Sequence, residues 1–405
     1  MKKKRKPRKP LGWLYTLAVV VVGTYLRLYF HLKIDKKGIK GIKGPVIAVA
    51  NHQSVLDFAI TALAVWPIKM NYLVSTYYCN DKKLKFLLDL VGTIPKKQFV
   101  PDTSTILNTG RALSRGQSVF IFPEGQVGYY GSNVGIDESI GKFIKHFKVP
   151  VIVVKLRGGF LSNGKYSKKT FPARLEARSE LLLSKDQVVQ MEHNEIFKVV
   201  KEGIYYDDFE WQRERMIPSR KKRSTDGLQN ILYRCPSCNT DFTMTPCEDR
   251  LFCSKCKYTV RQNKYGFFEP AGDTKDVVFD SVTDWFRMQQ SEIKKEIENG
   301  MLPFSTHCKL MSTQKNSLGY CMRGEGFLTI SHEGLFFDGL CDGEKFMESF
   351  PVTVQTAVTH DSGVWGIDFV GEDCNYAFCP DDSRIMIKIV EIYSMVRSMK
   401  SNITR

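Results

Sequence analysis

The chain of 405 residues is too long for one compact core of ordinary size, so two or three domains are expected. Hydrophobic residues at 43% and charged residues at 25% are globular proportions, whereas a formal net charge of +16 asks for an anionic partner, nucleic acid or membrane. Eleven cysteines, four of them in two CxxC pairs and the rest scattered, argue against a disulfide framework and fit a reducing compartment.

The first ten residues, MKKKRKPRKP, hold seven Lys or Arg and no acid, and Leu11 to Leu26 follows as sixteen uncharged residues. About 20 are needed to cross a bilayer core, so this stretch is short for a span even with Arg27 snorkelling. Trp13, Tyr15, Tyr25 and Tyr29 sit near its two ends, as interfacial aromatics do. A buried core helix and a cleaved signal peptide are the alternatives; no small-residue cleavage site precedes the next basic run. Basic residues flank both ends: Lys2 to Lys9 before, and Lys33, Lys36, Lys37, Lys40 and Lys43 after. A helix dipping into one leaflet keeps both flanks on the cytoplasmic side, which a spanning helix cannot. Residues 1–34 are therefore read as a basic N-terminus and membrane anchor on the cytoplasmic face, monotopic or single-pass.

Residues 35–216 read as an α/β domain. Pro45 to Ala50, Lys69 to Ser75, Ser118 to Phe122 and Val149 to Leu156 are apolar runs of strand length. Leu56 to Val65, Lys82 to Leu90, Thr103 to Ser114 and Ile136 to Phe147 have helical spacing. Strands alternating with helices predict a sheet covered on both faces.

IPSRKKRSTDG, residues 217–227, is a polar, basic break and the expected boundary. Cys235-Pro-Ser-Cys238 and Cys253-Ser-Lys-Cys256 follow, fourteen residues apart. Each pair can place two thiolates on a tight turn, and two such turns complete a closed tetrahedral site. Residues 217–270 are thus a linker and a ribbon holding structural zinc through Cys235, Cys238, Cys253 and Cys256. Lys255, Lys257, Arg261 and Lys264 add charge there, but Glu248 and Asp249 dilute it, and nucleic acid is not the expected partner. In residues 271–405, Ser281 to Asn299 is helical. Strands are expected at Gly326 to Ser331, Leu335 to Asp338, Val352 to Val358, Val364 to Val370 and Asn375 to Cys379, with His332-Glu333-Gly334 as a hairpin turn. A helix from Asp381 or Asp382 to Met399 closes the chain. Small antiparallel strands capped by one helix resemble a pleckstrin-homology or GRAM-like domain.

Chemistry enters with His52, just past the strand Val46 to Ala50, and with Asp57, at the start of the next helix. Side chains at such strand ends project into a crevice. A carboxylate on Nδ1–H fixes the tautomer and leaves Nε2 to take a proton. The plainer reading makes Asp57 a helix cap and His52 a satisfied loop residue. A second motif weighs against it: Phe122-Pro123-Glu124-Gly125 also follows an apolar strand, in the shape of a turn that exposes a carboxylate and backbone N–H groups.

Together these residues resemble the glycerolipid acyltransferases of the lysophosphatidic-acid acyltransferase type. That family's signature, N-H-x-x-x-x-D followed by F-P-E-G, stands here as Asn51, His52, Asp57 and Phe122, Pro123, Glu124, Gly125. Val149-Pro150-Val151-Ile152-Val153-Val154 is similar to its later apolar segment, and the likeness spans roughly residues 10 to 215. The resemblance implies that His52, oriented by Asp57, takes the proton from a lysolipid hydroxyl, which attacks an acyl thioester directly. The donor would be acyl-CoA or acyl-carrier protein, and no nucleophilic Ser or Cys is required. Glu124 and Gly125 would position the acceptor. Two expected arginines are missing: Gln126-Val127 follow the F-P-E-G, and Gln98 stands six residues after Gly92. Lys96, Lys97, Lys155 and Arg157 are the candidate substitutes, against their reading as solvated charges at strand ends. The expectation is a membrane-associated O-acyltransferase acting on a lysophospholipid-type hydroxyl. Glycerol 3-phosphate or another lysolipid or glycolipid is the alternative acceptor, and a non-catalytic membrane adaptor the alternative class.

Overall fold

The computed structural model describes residues 9–79, 81–272, 278–314, 318–361, 366–370 and 374–403. The basic run Lys2 to Arg8 lies outside the described residues. The chain divides into two compact units, passing from one to the other between Lys222 and Arg223. The second unit also takes residues 98–100 and 166–168.

In the first unit, α1 (Gly12–Phe30) leads into β1 (Lys33–Gly38), β2 (Ile47–Ala50), α2 (Asp57–Ala64) and β3 (Met70–Ser75). Next come α3 (Lys82–Leu90), β4 (Ile94–Lys96), α4 (Thr103–Leu113), β5 (Ser118–Ile121), α5 (Ser139–Phe147) and β6 (Val151–Arg157). The unit ends with α6 (Gly159–Asn163), β7 (Glu176–Leu183), α7 (Lys185–Gln190), α8 (His193–Ile204) and α9 (Asp208–Arg215). The strands form one seven-stranded sheet in the order β1-β7-β6-β2-β5-β3-β4. Its pairs are parallel except β6 with β7. The central strands β2, β5 and β6 are largely apolar because both faces are covered, with Ser118 and the Lys155 and Arg157 end of β6 as the exceptions. Ala48, Ala50, Phe120, Ile152 and Val154 pack on one face with Leu26 and Phe30 of α1 and Ile60 and Leu63 of α2. Ile47, Val49, Val119, Val151 and Val153 pack on the other with residues of α4, α5 and α8. β2 and β5 lie side by side and parallel, with Val49 opposite Ile121, so the chain leaves both at the same edge. That edge carries His52 and the Phe122–Gly125 turn.

In the second unit, β8 (Met244–Cys247), β9 (Arg250–Cys253), β10 (Thr259–Gln262) and β11 (Phe268–Pro270) form a four-stranded antiparallel sheet. Helix α10 (Val282–Glu298) is fastened to the segment before the first cysteine pair. Trp285 Nε1 donates to the Arg234 carbonyl at 2.9 Å, and Gln289 Nε2 to that of Ile231 at 2.9 Å. Strands β12 (Phe304–Thr313), β13 (Tyr320–Ser331), β14 (Gly334–Cys341), β15 (Glu344–Pro351), β16 (Thr359–Asp361), β17 (Gly366–Val370) and β18 (Asn375–Pro380) make a second, antiparallel sheet. Its order is β15-β14-β13-β12-β18-β17-β16. Helix α11 (Ile385–Ile403) follows and buries Met386, Ile387, Ile389, Val390, Ile392, Tyr393 and Val396.

Two sequence expectations change here. Val352 to Val358 is not a strand: the N–H groups of Val354 and Gln355 both bond to the Pro351 carbonyl at 3.0 Å, closing a turn. The strand instead precedes it, as β15. The expected strand at Val364 begins at Gly366, since residues 364 and 365 lie outside the described residues.

Candidate active site

Asp57 is fully buried, and its Oδ2 is a point of convergence. It accepts from the backbone N–H groups of Gln53 at 2.6 Å and Ser54 at 2.8 Å, and lies 3.0 Å from His52 Nδ1. Asp57 is therefore not the helix cap of the plainer reading: its backbone donors precede α2, whose N-terminus has no side-chain cap. The carboxylate closes the turn at the head of α2 and, with the same oxygen, holds the imidazole. Ser54 Oγ accepts from the Leu56 N–H at 3.2 Å, a local turn contact. Phe122 stacks on the imidazole, its ring centroid 4.0 Å away and the planes 18° apart. The His52 side chain keeps 16% of its surface exposed, so the ring is gripped on one face and at Nδ1 yet open to a small approach.

Asn51 turns its amide onto the neighbouring strand. Nδ2 donates to the Leu156 carbonyl and Oδ1 accepts from the Leu156 N–H, both at 2.8 Å. This bidentate brace continues the β2–β6 ladder past Ala50, where β2 ends. It fixes the backbone from which His52 springs.

Glu124 differs from expectation. Its carboxylate is not exposed but buried, with 3% of the residue accessible. Oε1 accepts from the His52 N–H at 2.9 Å and Asn133 Nδ2 at 2.8 Å, and Oε2 from the Val134 N–H at 3.0 Å. Burial, opposed by these donors, pushes its carboxyl up to about 7. Glu124 thus clamps the backbone of His52 to the loop that follows the turn. Gly125, at φ 69°, supplies the left-handed position of the turn, and its N–H donates to the Phe122 carbonyl at 3.0 Å. The loop is sewn to the His52 turn at two further points. The Gly128 N–H donates to the His52 carbonyl at 2.7 Å, and Gln53 Nε2 donates to the Ser132 carbonyl at 3.1 Å.

Asp208 and Tyr206 brace the other side of Asp57. Asp208 accepts from the N–H groups of Gly158 at 2.7 Å and Leu161 at 2.9 Å, and from the Tyr206 hydroxyl. Burial, outweighing these donors, raises its carboxyl to about 6. The turn it holds presents Gly159, where an added Cβ would sit 3.3 Å from Ser54 Cβ and 3.5 Å from Asp57 Oδ1. Sequence reading missed Asn133, Tyr206 and Asp208: Asn133 lies in the loop after the Phe122–Gly125 turn, the other two stand just before and at the start of α9, about fifty residues from Gly158, and none carries a local pattern.

The four candidate cations fare unequally. Arg157 lies 3.7 Å from Glu176, which Arg174 also approaches at 3.6 Å. Lys96 Nζ donates to the Lys97 carbonyl at 3.0 Å, and burial lowers its pKa. Lys97 offers its backbone N–H to Asp102. Lys155 is half-buried on β6, beside the end of β2.

In the second unit, the sulfurs of Cys235, Cys238, Cys253 and Cys256 all lie within 4.8 Å of one another. Cys235 is 3.6 Å from Cys256, and Cys238 is 3.8 Å from Cys253. Tetrahedral Zn–S bonds of about 2.3 Å require sulfurs about 3.8 Å apart, so the donor set fits that ion.

Residues 27–157 match the acyltransferase family model, a span running from the end of α1 to the end of β6 and including both motifs. The protein carries an acyltransferase domain and is an enzyme of acyl transfer. The 1-acyl-sn-glycerophosphate (LPA) acyltransferase PlsC from Thermotoga maritima is a solved structure to which it is similar. The two are 12% identical, with 47% of this chain and 92% of that chain covered at a TM-score of 0.37.

Proposed function

We propose that the enzyme moves a fatty acyl group from an acyl thioester, acyl-CoA or acyl-carrier protein, to a lysophospholipid-type hydroxyl at a membrane surface. The observation that carries this reading is the 3.0 Å contact between His52 Nδ1 and Asp57 beside the Phe122–Gly125 turn. With Nδ1–H held by the carboxylate, Nε2 is the proton acceptor. It takes the hydroxyl proton as the oxygen attacks the thioester carbonyl. The C–S bond then breaks, and the proton passes from His52 to the departing thiolate. An ester and a free thiol result, with no acyl-enzyme. Asp57 steadies the imidazolium in between. Glu124 positions His52, while Lys96, Lys97, Lys155 and Arg157 remain the cations proposed to meet an acidic headgroup.

The membrane reading rests on α1, which is long and apolar enough to cross a bilayer. One face packs Leu26 and Phe30 into the core, while Trp13 and Leu28 stay 69% and 72% exposed. A helix held along one side by its own domain suits a position in one leaflet on the cytoplasmic face. Cys235, Cys238, Cys253 and Cys256 are proposed as a closed structural zinc site, with the ribbon and β sheet as non-catalytic additions. The test is lipid mass spectrometry after purified enzyme receives one acyl thioester with a panel of lysolipids and glycerol 3-phosphate. An acylated lysophospholipid that disappears with His52→Ala is expected. Acylation of glycerol 3-phosphate alone, or of nothing, would overturn the assignment.

A further inference from the structure

Helix α3 has the sequence KKLKFLLDL and buries none of its nine side chains. It is nonetheless well formed. Asp81 Oδ1 caps it by accepting from the Leu84 N–H at 2.7 Å, and Lys85 pairs with Asp89 at 3.2 Å one turn on. Leu84, Leu88 and Leu90 of the helix are half-buried, whereas Phe86 and Leu87 are 60% and 56% exposed. Lys82 and Lys83 lie four residues before them, on the same face and one turn nearer the N-terminus, and both are exposed. An apolar pair beside two cations on flexible stems matches the boundary between lipid tails and anionic headgroups. The surface is also continuous with α1. The Leu11 N–H donates to the Leu90 carbonyl at 3.1 Å, tying the end of α3 to the start of α1, where Leu11 and Trp13 are exposed.

We propose that α3 is a second lipid-contacting element, which with α1 seats the catalytic domain on an anionic bilayer. The proposal rests on the membrane-surface reading above and fixes which edge of the domain meets the lipid. Two anchored elements hold a surface in one orientation, where a single helix leaves the domain free to turn about it. Phe86 and Leu87 supply apolar insertion, and Lys82 and Lys83 supply preference for negative charge.

The test is partitioning of the full-length enzyme onto vesicles of phosphatidylcholine alone or mixed with phosphatidylglycerol, read by sedimentation. Replacing Phe86→Ser with Leu87→Ser lowers partitioning about tenfold or more on both vesicles. Replacing Lys82→Glu with Lys83→Glu lowers it about tenfold on the anionic vesicles only. Circular dichroism checks the fold, and the lysine pair, being exposed and outside the core, keeps the test valid if the apolar pair unfolds. Unchanged partitioning in a folded variant of either pair overturns the proposal. So does a rise in KM for acyl-carrier protein with vesicle binding intact, which would put a protein on this face. Vesicle binding is read without turnover, so an inactive wild-type enzyme would fail the acyl-transfer reading alone.

Discussion

At the residue scale, His52 and Asp57 play unequal structural parts, and mutants should separate them. His52→Ala removes a general base and lowers kcat about 10²- to 10⁴-fold, with little change in melting temperature. Asp57→Ala lowers activity too. It also strands the buried N–H groups of Gln53 and Ser54, each loss costing about 1–3 kcal/mol, which calorimetry detects. Glu124 gives a pH signature. Its folded carboxyl is pushed up to about 7 from 4.5, so its contribution to stability is full below about 4.5 and is lost as pH rises through about 7. Urea unfolding across that window should show wild-type stability falling relative to Glu124→Gln. The dyad was legible in sequence because its partners lie five positions apart on one strand-to-helix turn. The role of Glu124 was not: its donors come from His52, Asn133 and Val134, and only the fold brings them together.

At the element scale, the central strands of the first sheet could be read because burial on both faces makes them largely apolar. Strand β12 escaped notice because its last two positions, Ser312 and Thr313, are polar yet both buried, which blurs the alternation. Strand β15 is mostly exposed, with Phe350 its one buried residue. Around the ribbon, Arg234 and Lys388 are almost wholly buried and share two acids. Lys388 lies 2.7 Å from Asp241 and 2.9 Å from Glu296, and Arg234 reaches the same pair. Burial alone would raise Asp241, but the two cations hold it below the usual carboxylate range. Asp241→Ala leaves both cations undercompensated and should cost about 3–5 kcal/mol in chemical unfolding. In the first unit, Asp208→Ala frees the Gly158–Leu161 turn that backs Asp57. Its expected signature is a fall in kcat with a smaller change in KM.

At the scale of the whole molecule, the first unit has its own two hydrophobic clusters and the complete His52 site, while the four cysteines belong to the second. Stripping metal with a strong chelator, or Cys235→Ser, should speed hydrogen exchange across residues 228–265. Metal analysis should show loss of one zinc per chain, as a closed four-sulfur site requires. Acyl transfer should survive at least in part; its complete loss in a protein with an intact first unit would give the ribbon a catalytic part.

The ring of Phe122 lying flat on His52 also provides a spectroscopic label. Its circulating π electrons shield nuclei above the ring face, so the imidazole protons of His52 should resonate upfield of those from the other six histidines. Nuclear magnetic resonance could then follow the protonation of this one side chain in the intact enzyme, and Phe122→Leu would return its signals to the crowd.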